Sequence, residues 1–196
     1  MKEKILHNAT EMFLNIGFKS ITMDDIAKNS GISKKTIYAH FSNKTELVKT
    51  VTLHIFDIVK KGVDLIHAQE QNPIIELFEI KRFVMKHLKD EKSSPQYQLQ
   101  KYYPKIYKTL KQKQFKVMQE LIKENLAKGI QQKLFRATID IDFTARIYFH
   151  GMVGIKDKDL FPLENNSMNT LTTNYLEYHL RGISTDKGIK ELEKQL

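Results

Sequence analysis

No cysteine occurs anywhere in the 196-residue chain, which excludes disulfides and thiolate chemistry and fits a cytoplasmic protein. Glycine and proline are scarce, at 8 and 4 residues, and no stretch alternates Val, Ile and Thr in the manner of strands. No apolar run approaches the length of a membrane span. Lys2, Glu3, Lys4 and Glu11 fall within the first twenty residues, which argues against a signal peptide. Signatures of catalysis are also missing. The histidines (His7, His40, His54, His67, His87, His150 and His179) include no pair at metal-ligand spacing with a flanking carboxylate. There is no phosphate-cradling glycine loop and no nucleophile elbow, so neither a metal nor a cofactor is expected, and an enzyme is a remote alternative. The carboxylate pairs Asp140/Asp142 and Asp157/Asp159 suit capping and helix-dipole roles better than acid–base work.

What is present is a helix-forming sequence. Leu, Ile, Lys, Glu and Gln dominate, with 41% hydrophobic and 28% charged residues, so the expected class is all-α. Apolar positions at helical spacing predict about nine helices, beginning with Ile5, Leu6, Ala9, Met12, Phe13 and Ile16 and a stop at Gly17. Thr22 to Asp25 and Asn43 to Glu46 both read as capping boxes. The second opens a long fourth helix ending near Gln69. Further helices are expected from Pro73 to about Lys89, up to Tyr102, from Pro104 to near Gly129, from Asp140 to about Lys156, and from Ser167 to about Arg181, with a polar tail behind them. The stretch from Asp90 to Pro95 and the surroundings of Pro162 read as loops. Such helices call for a bundle.

Charge is unevenly spread. The formal net charge is +9, which favours an anionic partner such as nucleic acid. Residues 1–48 hold 7 basic and 5 acidic groups, whereas residues 81–116 hold 11 and 2. Charge alone therefore points to the middle of the chain.

The first fifty residues carry a sharper pattern. A helix-turn-helix needs a small residue where its second helix crosses the first, and Ala27 is small. Four positions on, it needs a residue tolerant of positive φ, and Gly31 is there. Its second helix needs a buried branched residue, which Ile37 supplies, while Ile26 and Ile32 fill the remaining core positions. The segment Phe18-x-x-Ile21-Thr22-x-x-x-Ile26-Ala27, followed by Gly31-Ile32-Ser33-Lys34-Lys35-Thr36-Ile37-Tyr38-Ala39-His40-Phe41-Ser42-Asn43-Lys44-x-Glu46-Leu47, resembles the N-terminal signature of TetR-family (tetracycline-repressor) transcription regulators. The match covers about 45 residues. Lys35 departs from it, because the family often has glycine or another small residue there.

The resemblance implies an all-α homodimer with an N-terminal helix-turn-helix head (residues 1–48) and a C-terminal helical domain for ligand sensing and dimerisation (residues 49–196). It also implies a DNA-contact set: Thr22, Tyr38, His40 and Lys44 toward backbone phosphates, and Ser33, Lys34, Lys35 and Thr36 toward base edges in the major groove of a palindromic operator. Repression relieved by a small molecule is the expected action; an activator, or a regulator that senses no small molecule, is the alternative. Two further groups are open to two readings. Tyr103, Tyr107 and Phe115, with Phe83 on the fifth helix, are either bundle core or the walls of a cavity for an amphipathic or anionic effector. Phe143, Ile147, Gly151 and Gly154, with Met168, Leu171, Tyr175 and His179, suit intrachain core or a dimer interface, and the need for two heads on one operator favours the interface.

Overall fold

A computed structural model describes residues 1–91, 94–164 and 166–196. Lys92 and Ser93, part of the expected loop before Pro95, and Asn165, beside the Pro162 loop, lie outside the described residues. Among the described residues there are ten α-helices and no strand: α1 (Lys2–Ile16), α2 (Met23–Ser30), α3 (Lys34–His40), α4 (Lys44–His67), α5 (Pro73–His87), α6 (Pro95–Tyr102), α7 (Pro104–Gln131), α8 (Ile141–Gly154), α9 (Met168–Ile183) and α10 (Asp186–Glu193). No helix is long and apolar enough to cross a membrane among the described residues.

The helix ends follow local chemistry. Thr22 Oγ1 accepts from the Asp25 N–H, and the Asp25 carboxylate accepts from the Thr22 N–H and O–H, closing a reciprocal cap on α2. Ser33, Asp140 and Ser167 cap α3, α8 and α9 through their side-chain oxygens. At the start of α4 the reciprocity shifts by one residue. Asn43 Oδ1 accepts from the Glu46 N–H, but Glu46 takes the N–H and O–H of Ser42 rather than the N–H of Asn43.

The helices form two compact units. One comprises residues 1–59 and 91–111, the other residues 60–90 and 112–196. In the first unit Ile5, Ala9, Phe13, Ile26, Ile37, Phe41 and Val48 share a buried cluster with Leu99, Ile106 and Leu110. The head's core is thus completed by α6 and the start of α7, a contribution no local pattern announces. In the second unit Ile74, Phe78, Leu126, Phe135, Tyr148, Leu176 and Leu180 form the main cluster.

The expected polar tail is instead α10, the tenth helix. Thr185 caps it by accepting from the Gly188 N–H, and Leu192 is fully buried. A Cβ on Gly188 would strike the Leu134 carbonyl, so close helix-to-loop approach explains that glycine. Ile189 packs on the second unit's cluster beside Leu192, but two apolar positions in a helix this short do not distinguish it from a tail by spacing alone.

Candidate nucleic-acid interface

The crossing of α2 and α3 is built by the residues the sequence singled out. Gly31 sits at φ 64 and ψ 36, and its N–H closes α2. A Cβ there would meet nothing, so the left-handed backbone alone accounts for glycine. Ala27 and Ile37 are buried beside it, and the Ile32 N–H donates to the Ala27 carbonyl at 3.0 Å. With Ile37 inward, the opposite side of α3 is left to solvent: Ser33, Lys34, Lys35 and Tyr38 are exposed, and Thr36 and His40 are half-buried.

The polar groups on this surface are already partly engaged. Lys34 pairs with Asp24 across the turn at 2.9 Å, and the hydrogen bond to that carboxylate raises the Lys34 pKa. Lys35 has no ion pair among the described residues. Thr36 donates its N–H to Ser33 Oγ, and the two hydroxyls lie 2.8 Å apart. Both donors of Thr22 go to Asp25, whose own pKa those bonds lower. The Met23 and Asp24 amides, at the positive end of the α2 dipole, remain oriented for an anion. The Lys44 ammonium donates to the Lys19 carbonyl at 3.2 Å, and partial burial lowers its pKa.

The other expected residues are distributed as follows. Tyr103 and Tyr107 pack against the first unit's cluster, with Tyr103 edge-on to Phe18. Burial raises the Tyr103 pKa. Phe83 and Phe115 belong to the second unit. Phe83 fills the space where a Cβ on Gly62 would sit and stacks 4.0 Å from His87, while Phe115 meets Phe149 edge-on. Phe143 and Ile147 are exposed on α8. Gly151 is half-buried, and a Cβ on it would overlap the Tyr175 ring of the same chain; Gly154 faces open space. Met168, Leu171 and His179 are buried in their own unit, and the Tyr175 hydroxyl donates to the Ile147 and Tyr148 carbonyls. That face of α9 serves the intrachain core, and its exposed aromatic is Tyr178. No group of His, Asp and Glu suited to a metal is found among the described residues.

Residues 5–51, which contain this crossing, match the family model of bacterial regulatory proteins of the tetR family. A stretch of 57 residues of the chain is 37% identical to the biofilm operon icaADBC HTH-type negative transcriptional regulator IcaR of Staphylococcus epidermidis, covering 29% of this chain and 31% of that protein. The Staphylococcus aureus counterpart is 39% identical over 57 residues, with the same coverage. Over residues 5–51 the chain thus carries a head of the tetR-family type. The alignment spans about a third of the length of these curated relatives.

Likeness to solved tetR-family and related structures extends over nearly the whole chain and concerns the fold. SmeT, described as the repressor of the Stenotrophomonas maltophilia multidrug efflux pump SmeDEF, superposes with TM-score 0.70 at 16% identity, over 95% of this chain and 91% of its own. A tetR-family regulator from Agrobacterium tumefaciens gives 0.73 at 16% identity, over 94% and 97%. A regulator from Cytophaga hutchinsonii gives 0.69 at 20% identity, over 93% and 98%. For this tetR-family head, sequence reading missed Asp24 as the partner of Lys34. It also missed Lys19, whose ammonium meets the Tyr102 ring only through the fold.

Proposed function

We propose that the chain is a sequence-specific, double-stranded DNA-binding transcription regulator that acts as a homodimer on a palindromic operator. The observation that carries this reading is the α2–α3 crossing. It buries Ile37 and Ala27 around Gly31 and leaves the start of α3 exposed, within residues matched to the tetR family model. In this reading Lys34, Lys35, Ser33 and Thr36 face base edges, while Thr22, Tyr38, His40 and Lys44 meet phosphates. Residues 1–48 are the DNA-reading part, and residues 49–196 sense and dimerise.

Repression is favoured because IcaR is described as a negative regulator and SmeT as a repressor. A small amphipathic effector held by the second domain would release the operator. The route out of that domain would be α4, an unbroken rod from Lys44 to His67, about 36 Å long at 1.5 Å per residue. The dimer surface of α8 is Phe143 and Ile147, joined on α9 by the exposed Tyr178. In a bacterial cytoplasm such a protein needs no cofactor.

The test is binding of purified protein to a duplex from upstream of its own coding sequence and to a scrambled duplex of equal length. The proposal expects a preference of at least about 1,000-fold at physiological salt. Equal affinity for both duplexes contradicts it.

A further inference from the structure

The charge excess of this chain does not lie on the helix-turn-helix. From Lys92 to Gln119 the sequence has seven lysines and no acidic residue. A lysine face that serves only solubility is ordinarily mixed with carboxylates, so an acid-free run of this length asks for an anionic partner. The first part of the run, through Lys111, belongs to the same compact unit as the helix-turn-helix. Ile106 and Leu110 turn inward to the shared core, and Lys105, Lys108 and Lys111 point to solvent.

Within the same unit, a chain of contacts joins Lys44, the expected phosphate contact, to Lys19 and to Lys101 on α6. Lys44 Nζ donates to the Lys19 carbonyl, and the Lys19 N–H donates to Gln98 Oε1 at 3.0 Å. The Lys19 ammonium lies 5.2 Å from the Tyr102 ring centre, and Lys101 lies 5.8 Å from the same ring. Cation–π contact with the Tyr102 ring holds both ammonium groups at the surface.

We propose that the lysine surface of α6 and early α7 is a second DNA-contact surface, which binds the phosphates of duplex flanking the base pairs read by α3. It rests on the reading of the protein as a DNA-binding regulator. Its partner is the backbone of B-form DNA, so it adds affinity and salt dependence but no base preference.

The probe is a duplex selected by the protein from a random-sequence pool, prepared both as the minimal selected site and with about ten extra base pairs on each side. Binding is measured by fluorescence anisotropy across a salt series. Wild type binds the extended duplex more tightly and with a steeper salt slope. The triple variant Lys105→Ala, Lys108→Ala, Lys111→Ala loses that advantage: affinity for the extended duplex falls at least about tenfold, and the slope shrinks by roughly 0.9 for each lost phosphate contact. Its affinity for the minimal site is unchanged. Removing Lys187 and Lys190 of α10 and Lys194 at its C-terminal end takes away equal charge and changes neither duplex. A triple variant with wild-type affinity and slope on the extended duplex overturns the proposal. If no duplex is selected at all, the DNA-binding reading fails first, and this surface falls with it.

Discussion

At the scale of single residues, the recognition end of α3 separates two kinds of lysine. Lys34 is tied to Asp24, so entering a groove means exchanging that exposed pair for DNA, whereas Lys35 stands ready. Lys35→Ala should therefore relax base preference at one position of each half-site, by about 1–3 kcal/mol if a bidentate guanine contact is lost. Tyr38→Phe should weaken all sequences alike, because a phosphate contact carries no base identity. Competition with single-base operator variants separates these outcomes, and unchanged preference in the Lys35 variant removes it as a reader. Gly31 was legible because positive φ has few residue solutions, and Ile37 because helical spacing turns it inward. Asp24 was not, since its partnership arises only when two helices cross.

The residue scale also holds a pH dependence. His179 is buried against the rings of Tyr148 and Tyr175, and burial lowers its pKa to about 4. The unfolded chain takes up this proton near pH 6.5, and the folded chain refuses it. The stabilisation is thus whole above pH 6.5 and fades as pH falls toward 4, on the order of 3 kcal/mol. His67 has the opposite sign. Hydrogen bonds donated to Glu76 and then to Glu124 raise its pKa, so its contribution is whole below pH 6.5 and fades as pH rises through the folded value. Urea melts from pH 7 to 4 should show His179→Phe losing less stability on acidification than wild type. Parallel curves would show that His179 is protonated without cost.

At the scale of elements, α8 and α9 were foreseen to within two residues at each end, but the faces were not. Spacing marks Met168, Leu171, Tyr175 and His179 as one stripe without saying whether the stripe turns to its own chain or to a second copy. The structure turns it inward, and Gly151 is small because Tyr175 lies against it. Gly151→Leu would damage internal packing and says little about association. The exposed apolar residues Phe143, Ile147 and Tyr178 make a cleaner probe. Phe143→Glu with Tyr178→Glu should convert a dimer to a folded monomer in light scattering at micromolar concentration, with helicity retained, because charge is poorly tolerated at the centre of such an interface. A double variant that stays dimeric places the interface elsewhere. The helix of residues 186–193 was overlooked because it is short: Ile189 and Leu192, three apart, alone turn to the core, and two positions are too few for a spacing argument.

At the scale of the whole molecule, the all-α class and the type of the head were legible, and the grouping of helices was not. The all-α class followed from composition and spacing, and the head from a few fixed positions. That Leu99, Ile106 and Leu110 would complete the head's core could not be read, because apolar spacing gives a helix its inner face but no address for it. The same limit divides the expected effector residues, with Tyr103 and Tyr107 in one compact unit and Phe83 and Phe115 in the other.

The central claim is that two such heads read one DNA site. Binding-site selection from a random duplex pool tests it most directly, because it presumes neither target nor effector. The account predicts an enriched inverted repeat whose half-site centres lie about 10–10.5 base pairs apart, or a multiple of that spacing, the separation of successive major grooves on one face of the duplex. A pool that emerges from selection with no enriched sequence would contradict it.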